Sequence, residues 1–185
     1  DVYKRQEENL RGYFAAISAM DEQIGRLLDA VEEQGLADNT VILFTADNGM
    51  SMGQHGVWGK GNGTFPMNMY DSAVKVPFLI SWPGHIPANT VCSEMISACD
   101  LLPTILKLTG LSDKQPTGLP GRSFTELLKG EQREHRDEVV IFDEYGPVRM
   151  IRTKEWKYVH RYPYGKHELY HLVDDPGEEL SLIHI

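Results

Sequence analysis

The feature that most constrains this chain is an apolar run over residues 40–46 that ends abruptly in Asp47-Asn48-Gly49. Its β-branched residues predict a buried strand, and Gly49 lets the backbone turn away sharply at its end. From Glu8 to Gln34, apolar residues recur at three- and four-residue intervals, which predicts an amphipathic helix that stops at Gly35. Because helix, short loop and buried strand follow one another, the sequence predicts an α/β fold with part of a mostly parallel sheet flanked by helices.

Asp47 and Asn48 are candidate metal ligands because they follow this strand directly. In open α/β sheets, binding sites form at the carboxyl ends of the strands. A carboxylate and an amide carbonyl together suit a hard divalent cation such as Ca²⁺ or Mg²⁺. Downstream, His55 and Lys60 add groups able to hold an anion beside that metal. The plain alternative is a turn followed by a solvated lysine and a surface histidine, since Asn and Gly both tolerate a positive φ.

The remaining chain divides into a long loop, a second α/β portion and a short-stranded C-terminal part. Residues 50–72 lack sustained periodicity and predict a long loop, which we interpret as functional because it carries His55 and Lys60. A strand is predicted at Val76–Ser81, and Asp100 is a predicted N-cap of the next helix. Short apolar runs at 139–144, 148–153, 156–161 and 167–172 predict a small antiparallel sheet. The predicted domains are residues 7–132 and 133–180.

Composition excludes several classes of partner. The net charge of −9 and the pI near 5.2 argue against nucleic acid, because no cluster of basic residues offsets the negative surface. No apolar run approaches the roughly 20 residues that span a bilayer. Cys92 and Cys99 have neither C-x-x-C nor zinc-ligand spacing, and we expect both to be small buried residues.

Five spaced motifs resemble the sulfatase family of the alkaline-phosphatase-like superfamily. In order they are Asp47-Asn48-Gly49, the G-x-H-G containing His55, Lys60-Gly61, Tyr70-Asp71, and the V-P…P-G of residues 76–84. The C-terminal patterns R-x-I-R-T-x-x-W-K-Y (149–158) and E-L-Y-x-L-x-x-D-P-x-E-x-x-S-L (168–182) are similar to the family's C-terminal subdomain, and we interpret them as structural. The resemblance covers most of the chain and corresponds to the C-terminal half of the family.

The resemblance implies a sulfuric ester hydrolase that cleaves a sulfate monoester on a carbohydrate or a small organosulfate. Asp47 and Asn48 match two ligands of one dication, Ca²⁺ in the first instance and Mg²⁺ as the alternative. Lys60 matches the lysine that contacts the sulfate near its bridging oxygen. For His55 the resemblance suggests substrate binding or protonation of the leaving group.

The family's nucleophile is a formylglycine made from Cys or Ser in C/S-x-P-x-R, and this sequence contains no such motif. We therefore expect the nucleophile and the other metal carboxylates to lie upstream in a longer protein, and this polypeptide to be inactive alone. Residues 1–6 and 181–185 look like translated adaptor sequence, so we expect both ends to be non-native. An export signal would also lie upstream, with a periplasmic or secreted location implied by the family, while the oligomeric state is left open.

Two other functions stay open at this point. The first is hydrolysis of a phosphonate or phosphate ester within the same superfamily, since a metal beside a nucleophile also serves phosphoryl groups. Related phosphonate hydrolases tend to have Asp-His where this chain has Asp47-Asn48, which favours sulfate. The second is a relative that binds a metal or a carbohydrate without catalysis.

Overall fold

The computed structural model describes residues 2–131, 135–144, 146–163 and 165–183, with side chains from residue 6 onward. The chain forms two compact units, one of Asp1–Phe44 with Phe78–His85 and one of Thr45–Pro77 with Ile86–Ile185. Within the described residues, no helix is both long and apolar enough to cross a membrane.

The first unit contains the long helix and two strands. Helix α1 spans Val2–Glu33, and the chain leaves it through Gly35, whose φ of 66° is the left-handed conformation that commonly ends helices. Strands β1 (Ile42–Thr45) and β4 (Phe78–Ser81) are hydrogen-bonded neighbours. The predicted helix and both predicted strands are therefore present. Strand β1 is two residues shorter at its start and one at its end than the run 40–46 and is half-buried rather than buried, and β4 starts two residues later than predicted.

The second unit opens with a folded loop rather than an irregular one. Two strands of two residues each pair in antiparallel orientation, with Ser51 opposite Gly59; they are β2 (Ser51–Met52) and β3 (Trp58–Gly59). A one-turn helix, α2 (Asp71–Val74), ends the loop before Pro77. The loop thus runs out along β2, returns along β3, and reaches α2 through residues 64–70.

Four antiparallel strands form the C-terminal sheet in the order β5-β6-β7-β8. They span Val139–Phe142, Val148–Arg152, Trp156–Arg161 and Glu168–His171. The buried face of the sheet carries a core that also includes Met69, so the end of the long loop packs on this sheet. The predicted small antiparallel sheet is present; the predicted domain boundary at residue 132 lies outside the described residues and stays a prediction.

Asp100 directly precedes a helix, as predicted, but its side chain does not cap that helix and instead anchors a buried ion pair. It precedes helix α3 (Leu101–Leu108), and its carboxylate accepts backbone N–H groups from Ser97 at 2.9 Å and Arg122 at 2.7 Å. The guanidinium of Arg136 binds both carboxylate oxygens. Burial alone raises the pKa of Asp100, but these hydrogen bonds and the Arg136 charge outweigh it and lower the pKa.

The expectation that the two cysteines are buried is wrong. Cys92 and Cys99 are both exposed. Cys92 lies in an irregular segment whose neighbour Val91 is 96% exposed, so no core surrounds it. Cys99 lies in a 3-10 turn, Ala98–Asp100, in which Asp100 is the buried residue.

A fourth helix, α4 (Thr125–Leu128), lies shortly before Gly130.

Candidate active site

The Asp47-Asn48-Gly49 corner has a defined geometry at the end of β1. The Asp47 carboxylate accepts the backbone N–H of Asn48 at 2.8 Å, and the Asn48 side-chain amide donates to the Gly49 carbonyl at 2.9 Å. Gly49 in turn donates its N–H to the Ala73 carbonyl at 2.9 Å. A Cβ at position 49 would lie 2.2 Å from the Ser72 carbonyl oxygen, so the corner accommodates only glycine.

Lys60 directly follows β3, and its side chain reaches this corner. Its Nζ donates to Asn48 Oδ1 at 3.1 Å. The backbone at Lys60 is fixed by Asn68, a side chain with 2% exposure, whose amide donates to the carbonyls of Lys60 at 3.3 Å and Gly61 at 3.1 Å. The structure therefore places Asp47, Asn48 and Lys60, three residues selected from the sequence, at one place.

His55 is held differently. It is a non-glycine residue with a φ of 55°, and its ring stacks on Tyr70 with centroids 3.7 Å apart and planes 4° from parallel. Burial and the nearby Glu168 carboxylate raise the pKa of Tyr70. The pKa of Asp175 is lowered by the N–H groups of Glu179 and its neighbours, with a smaller contribution from His55. His55 thus contacts Tyr70, whereas Lys60 contacts Asn48.

The donor set at the corner fits part of a site for a hard cation. Asp47 contributes a carboxylate and Asn48 an amide oxygen, which are ligands that Ca²⁺ and Mg²⁺ prefer. Among the described residues, no group of three or more His, Cys, Asp or Glu side chains is arranged to hold a metal. Asp47 and Asn48 could therefore supply at most two ligands of a dication, and any further ligands would have to come from other residues.

Sequence reasoning treated the C-terminal motifs as structural and did not connect them with the candidate site. In the structure, Asp71 forms ion pairs with Arg152 and Lys157, and Lys157 also pairs with Glu178. We call these four residues the Asp71 cluster. Lys157, Val159 and Arg161 lie on the buried face of β7, which the sequence does not signal because the opposite face carries Trp156, Tyr158 and His160.

Comparison with known proteins then assigns the family. The sulfatase family profile matches residues 1–111, which is more than half of the chain. The chain belongs to the sulfatase family. An ulvan-active sulfatase from Formosa agariphila is 32% identical over 97% of the chain, and a choline-sulfatase from Rhizobium meliloti is 32% identical over 95%. This chain spans 35% and 34% of those two proteins, about a third of their length.

Solved structures confirm the fold of this sulfatase chain. One holds its substrate D-glucosamine-2-N,6-O-disulfate; it is 28% identical, has a TM-score of 0.79, and matches 91% of this chain and 35% of its own. A phosphonate monoester hydrolase from Silicibacter pomeroyi is also similar, at 28% identity and a TM-score of 0.67, over 82% of this chain and 32% of its own. The predicted alkaline-phosphatase-like α/β fold with a small C-terminal antiparallel sheet is thereby confirmed.

Proposed function

We propose that the protein containing this chain is a sulfuric ester hydrolase that cleaves a sulfate monoester. The observation that carries the proposal is the contact between Lys60 Nζ and Asn48 Oδ1 beside Asp47, in a chain of the sulfatase family. An ammonium next to two oxygen ligands of a dication forms a pocket of concentrated positive charge. Such a pocket favours a sulfate group and the charge that develops on its leaving oxygen.

Each residue has a distinct role in this proposal. Asp47 and Asn48 would hold the dication, Ca²⁺ in the first instance or Mg²⁺, and the bound dication would supply Lewis-acid stabilisation of the negative charge on the sulfate group. Lys60 places its ammonium at the bridging oxygen and offsets the charge of the departing alkoxide. His55, whose ring stacks on Tyr70, binds the substrate or protonates the leaving group.

The nucleophile belongs to the proposal only as a residue outside this sequence. By family resemblance it is a formylglycine made from Cys or Ser, and the sequence has no C/S-x-P-x-R motif from which it would be made. We therefore propose that these 185 residues alone do not turn over a sulfate ester.

A sulfated carbohydrate is the substrate class that the relatives favour. One relative acts on ulvan, and one solved neighbour holds a sulfated glucosamine. Choline-sulfatase shows that a small organosulfate fits the same family. We place the carbohydrate first because two independent comparisons name it.

The alternative function is hydrolysis of phosphonate or phosphate esters, since the chain is also similar to a phosphonate monoester hydrolase. To separate the two, kcat/KM of the full-length protein with Ca²⁺ is measured on 4-nitrophenyl sulfate and on a 4-nitrophenyl phosphonate ester. We expect the sulfate ester to be preferred by about a hundredfold or more. Preference for the phosphonate would replace the proposed function by its alternative, and no turnover of either in a protein that binds Ca²⁺ would favour a non-catalytic relative.

A further inference from the structure

Strand β7 places two cations in the interior of the second unit. The side chains of Lys157 and Arg161 are 0% and 7% exposed. Lys157 Nζ donates to the Met69 carbonyl at 3.0 Å, and an Arg161 guanidinium N–H donates to the Met67 carbonyl. Because burying a cation is costly unless it is paired, these two side chains fix the backbone of residues 67–69 rather than merely fill space.

The Asp71 cluster fixes the start of α2 in the same way. Arg152 binds Asp71 with two hydrogen bonds, from Nε to Oδ1 at 3.2 Å and from Nη2 to Oδ2 at 3.1 Å. Lys157 forms ion pairs with Asp71 and with Glu178. Glu178 Oε2 accepts the backbone N–H of Asp71 at 2.6 Å. Two positive and two negative charges therefore hold one end of a single-turn helix, and the four charges balance.

The other end of α2 contacts the Asp47-Asn48-Gly49 corner. Its Ala73 carbonyl accepts the Gly49 N–H, and its Ser72 carbonyl lies where a side chain at position 49 would otherwise be. Ser51, which is 0% exposed, shares a hydrogen bond of 2.7 Å between its hydroxyl and that of Ser72. A shift of α2 therefore moves the backbone that carries Asp47 and Asn48.

Asn68 connects residues 67–69 to Lys60, the residue with the ammonium group. Asn68 lies between the two carbonyls that β7 holds, and its side chain is the donor to the carbonyls of Lys60 and Gly61. Asn68 N–H also donates to the Gly61 carbonyl at 3.0 Å. Residues 67–73 thus contact both halves of the candidate site, the Asp47-Asn48-Gly49 corner and Lys60.

We propose that Lys157 and Arg152 are positioning residues, which set the distance between the Asp47-Asn48 corner and Lys60 by holding residues 67–73 against the C-terminal sheet. The catalytic relevance of this inference rests on the proposed function; its structural content does not. The W-K-Y, R-T and D-P-x-E motifs then have one shared task, and the C-terminal sheet becomes part of the catalytic apparatus rather than an appendage.

The test compares Arg152→Gln with Arg136→Gln in the full-length protein. Both substitutions break a two-point pair between an arginine and a largely buried aspartate, but Asp100, the partner of Arg136, contacts neither α2 nor residues 47–61 through any hydrogen bond described above. Hydrogen–deuterium exchange of peptides covering residues 47–61 is followed by mass spectrometry, together with calorimetric Ca²⁺ affinity and kcat and KM on an aryl sulfate. Lys157→Met is the second variant, and Arg152→Lys is the conservative rescue.

We expect exchange in residues 47–61 to rise about fivefold or more in Arg152→Gln and Lys157→Met, with weaker Ca²⁺ binding and a lower kcat. Arg136→Gln should lower the melting temperature without changing exchange in these peptides, and Arg152→Lys should restore part of the protection. Equal exchange in the Arg152→Gln and Arg136→Gln proteins would show a merely structural role and overturn the proposal. If Lys157→Met does not fold, the Arg152 series decides alone. Lack of aryl sulfate turnover by the unaltered protein would count against the proposed function, while the exchange data would still decide the positioning role.

Discussion

At the residue scale, Gly49 is the most tightly constrained position next to the candidate ligands. A Cβ there would lie 2.2 Å from the Ser72 carbonyl oxygen, which is backbone and cannot rotate away. We expect Gly49→Ala to lower the free energy of unfolding and to abolish Ca²⁺ binding, as measured by urea titration and calorimetry. Undiminished Ca²⁺ affinity would show that the corner tolerates displacement.

Gly25→Ala is the matched control, because we expect it to raise the free energy of unfolding whereas Gly49→Ala lowers it. Gly25 lies inside α1, and among the described residues no atom other than its chain neighbours and the helix's own backbone lies within 4 Å of the position that a Cβ would take there, so an added methyl group meets no obstacle. We expect Gly25→Ala to stabilise the protein by about 0.5–1 kcal/mol, because alanine has less backbone freedom to lose than glycine in a helix. A loss of stability in the same urea titration would contradict this.

His55 yields a prediction about leaving groups. His55→Phe keeps an aromatic ring against Tyr70 but removes the proton donor. A general acid matters more when the leaving group is more basic. We therefore expect kcat to fall much further with an alkyl sulfate than with 4-nitrophenyl sulfate. An equal fall with both substrates would assign His55 to substrate binding or to packing.

At the scale of elements, the sequence predicted those whose signal is local. The period of α1, the β-branched run of β1 and the four short strands of the C-terminal sheet are all readable from neighbouring residues. The Asp71 cluster was not readable in this way, because Asp71 is separated from Lys157 by 86 residues and the pair forms only after the sheet has packed on the loop. Exposure of Cys92 was missed for a related reason, since a small apolar side chain carries no sign of whether a core surrounds it.

The candidate site likewise has one part that the sequence indicated and another that appears only in the folded chain. Asp47, Asn48 and Lys60 were selected from their order along the chain, and Lys60 was found beside Asn48. Their support by Asn68, Ser72 and Ala73 depends on backbone carbonyls, which every residue has and which no motif reveals. Sequence therefore identified side chains with chemistry but not the backbone that places them.

The pairing of α2 with the C-terminal sheet predicts a pH dependence of stability. Burial raises the pKa of Asp71, but the Lys157 and Arg152 charges outweigh it and bring the pKa below its ordinary value. The folded state then binds this proton less readily than the unfolded state, whose Asp pKa is about 3.9. The contribution is fully present above that value and is lost as the pH falls through the lower, folded pKa.

Urea unfolding at several pH values between neutral and strongly acidic checks this expectation. The free energy of unfolding should fall with falling pH below about 4, and the acid-dependent part should be smaller in Asp71→Asn, which is also less stable at neutral pH. Asp100, whose pKa is also lowered, remains in that variant and retains its own acid dependence. Identical pH profiles for the two proteins would exclude Asp71 as a contributor.

At the scale of the whole molecule, the chain carries the candidate residues for one side of the proposed catalytic centre. It spans about a third of the length of the two curated relatives described above. In the proposal it supplies two oxygen ligands, an ammonium and the sheet that positions them. The nucleophile and the other metal ligands are assigned by the proposal to sequence beyond these residues. The proposed catalytic centre therefore has to be tested in the full-length protein.

The most direct measurement is turnover of 4-nitrophenyl sulfate by the full-length protein with Ca²⁺, compared between Lys60→Ala and Lys75→Ala. Both variants remove one lysine from the second unit, but Lys75 is an exposed residue after α2, whereas Lys60 binds Asn48 Oδ1. We predict a loss of at least about a hundredfold in kcat/KM for Lys60→Ala, because a key electrostatic contact is removed, and near-normal turnover for Lys75→Ala. Near-normal turnover in Lys60→Ala would contradict the assignment of this site.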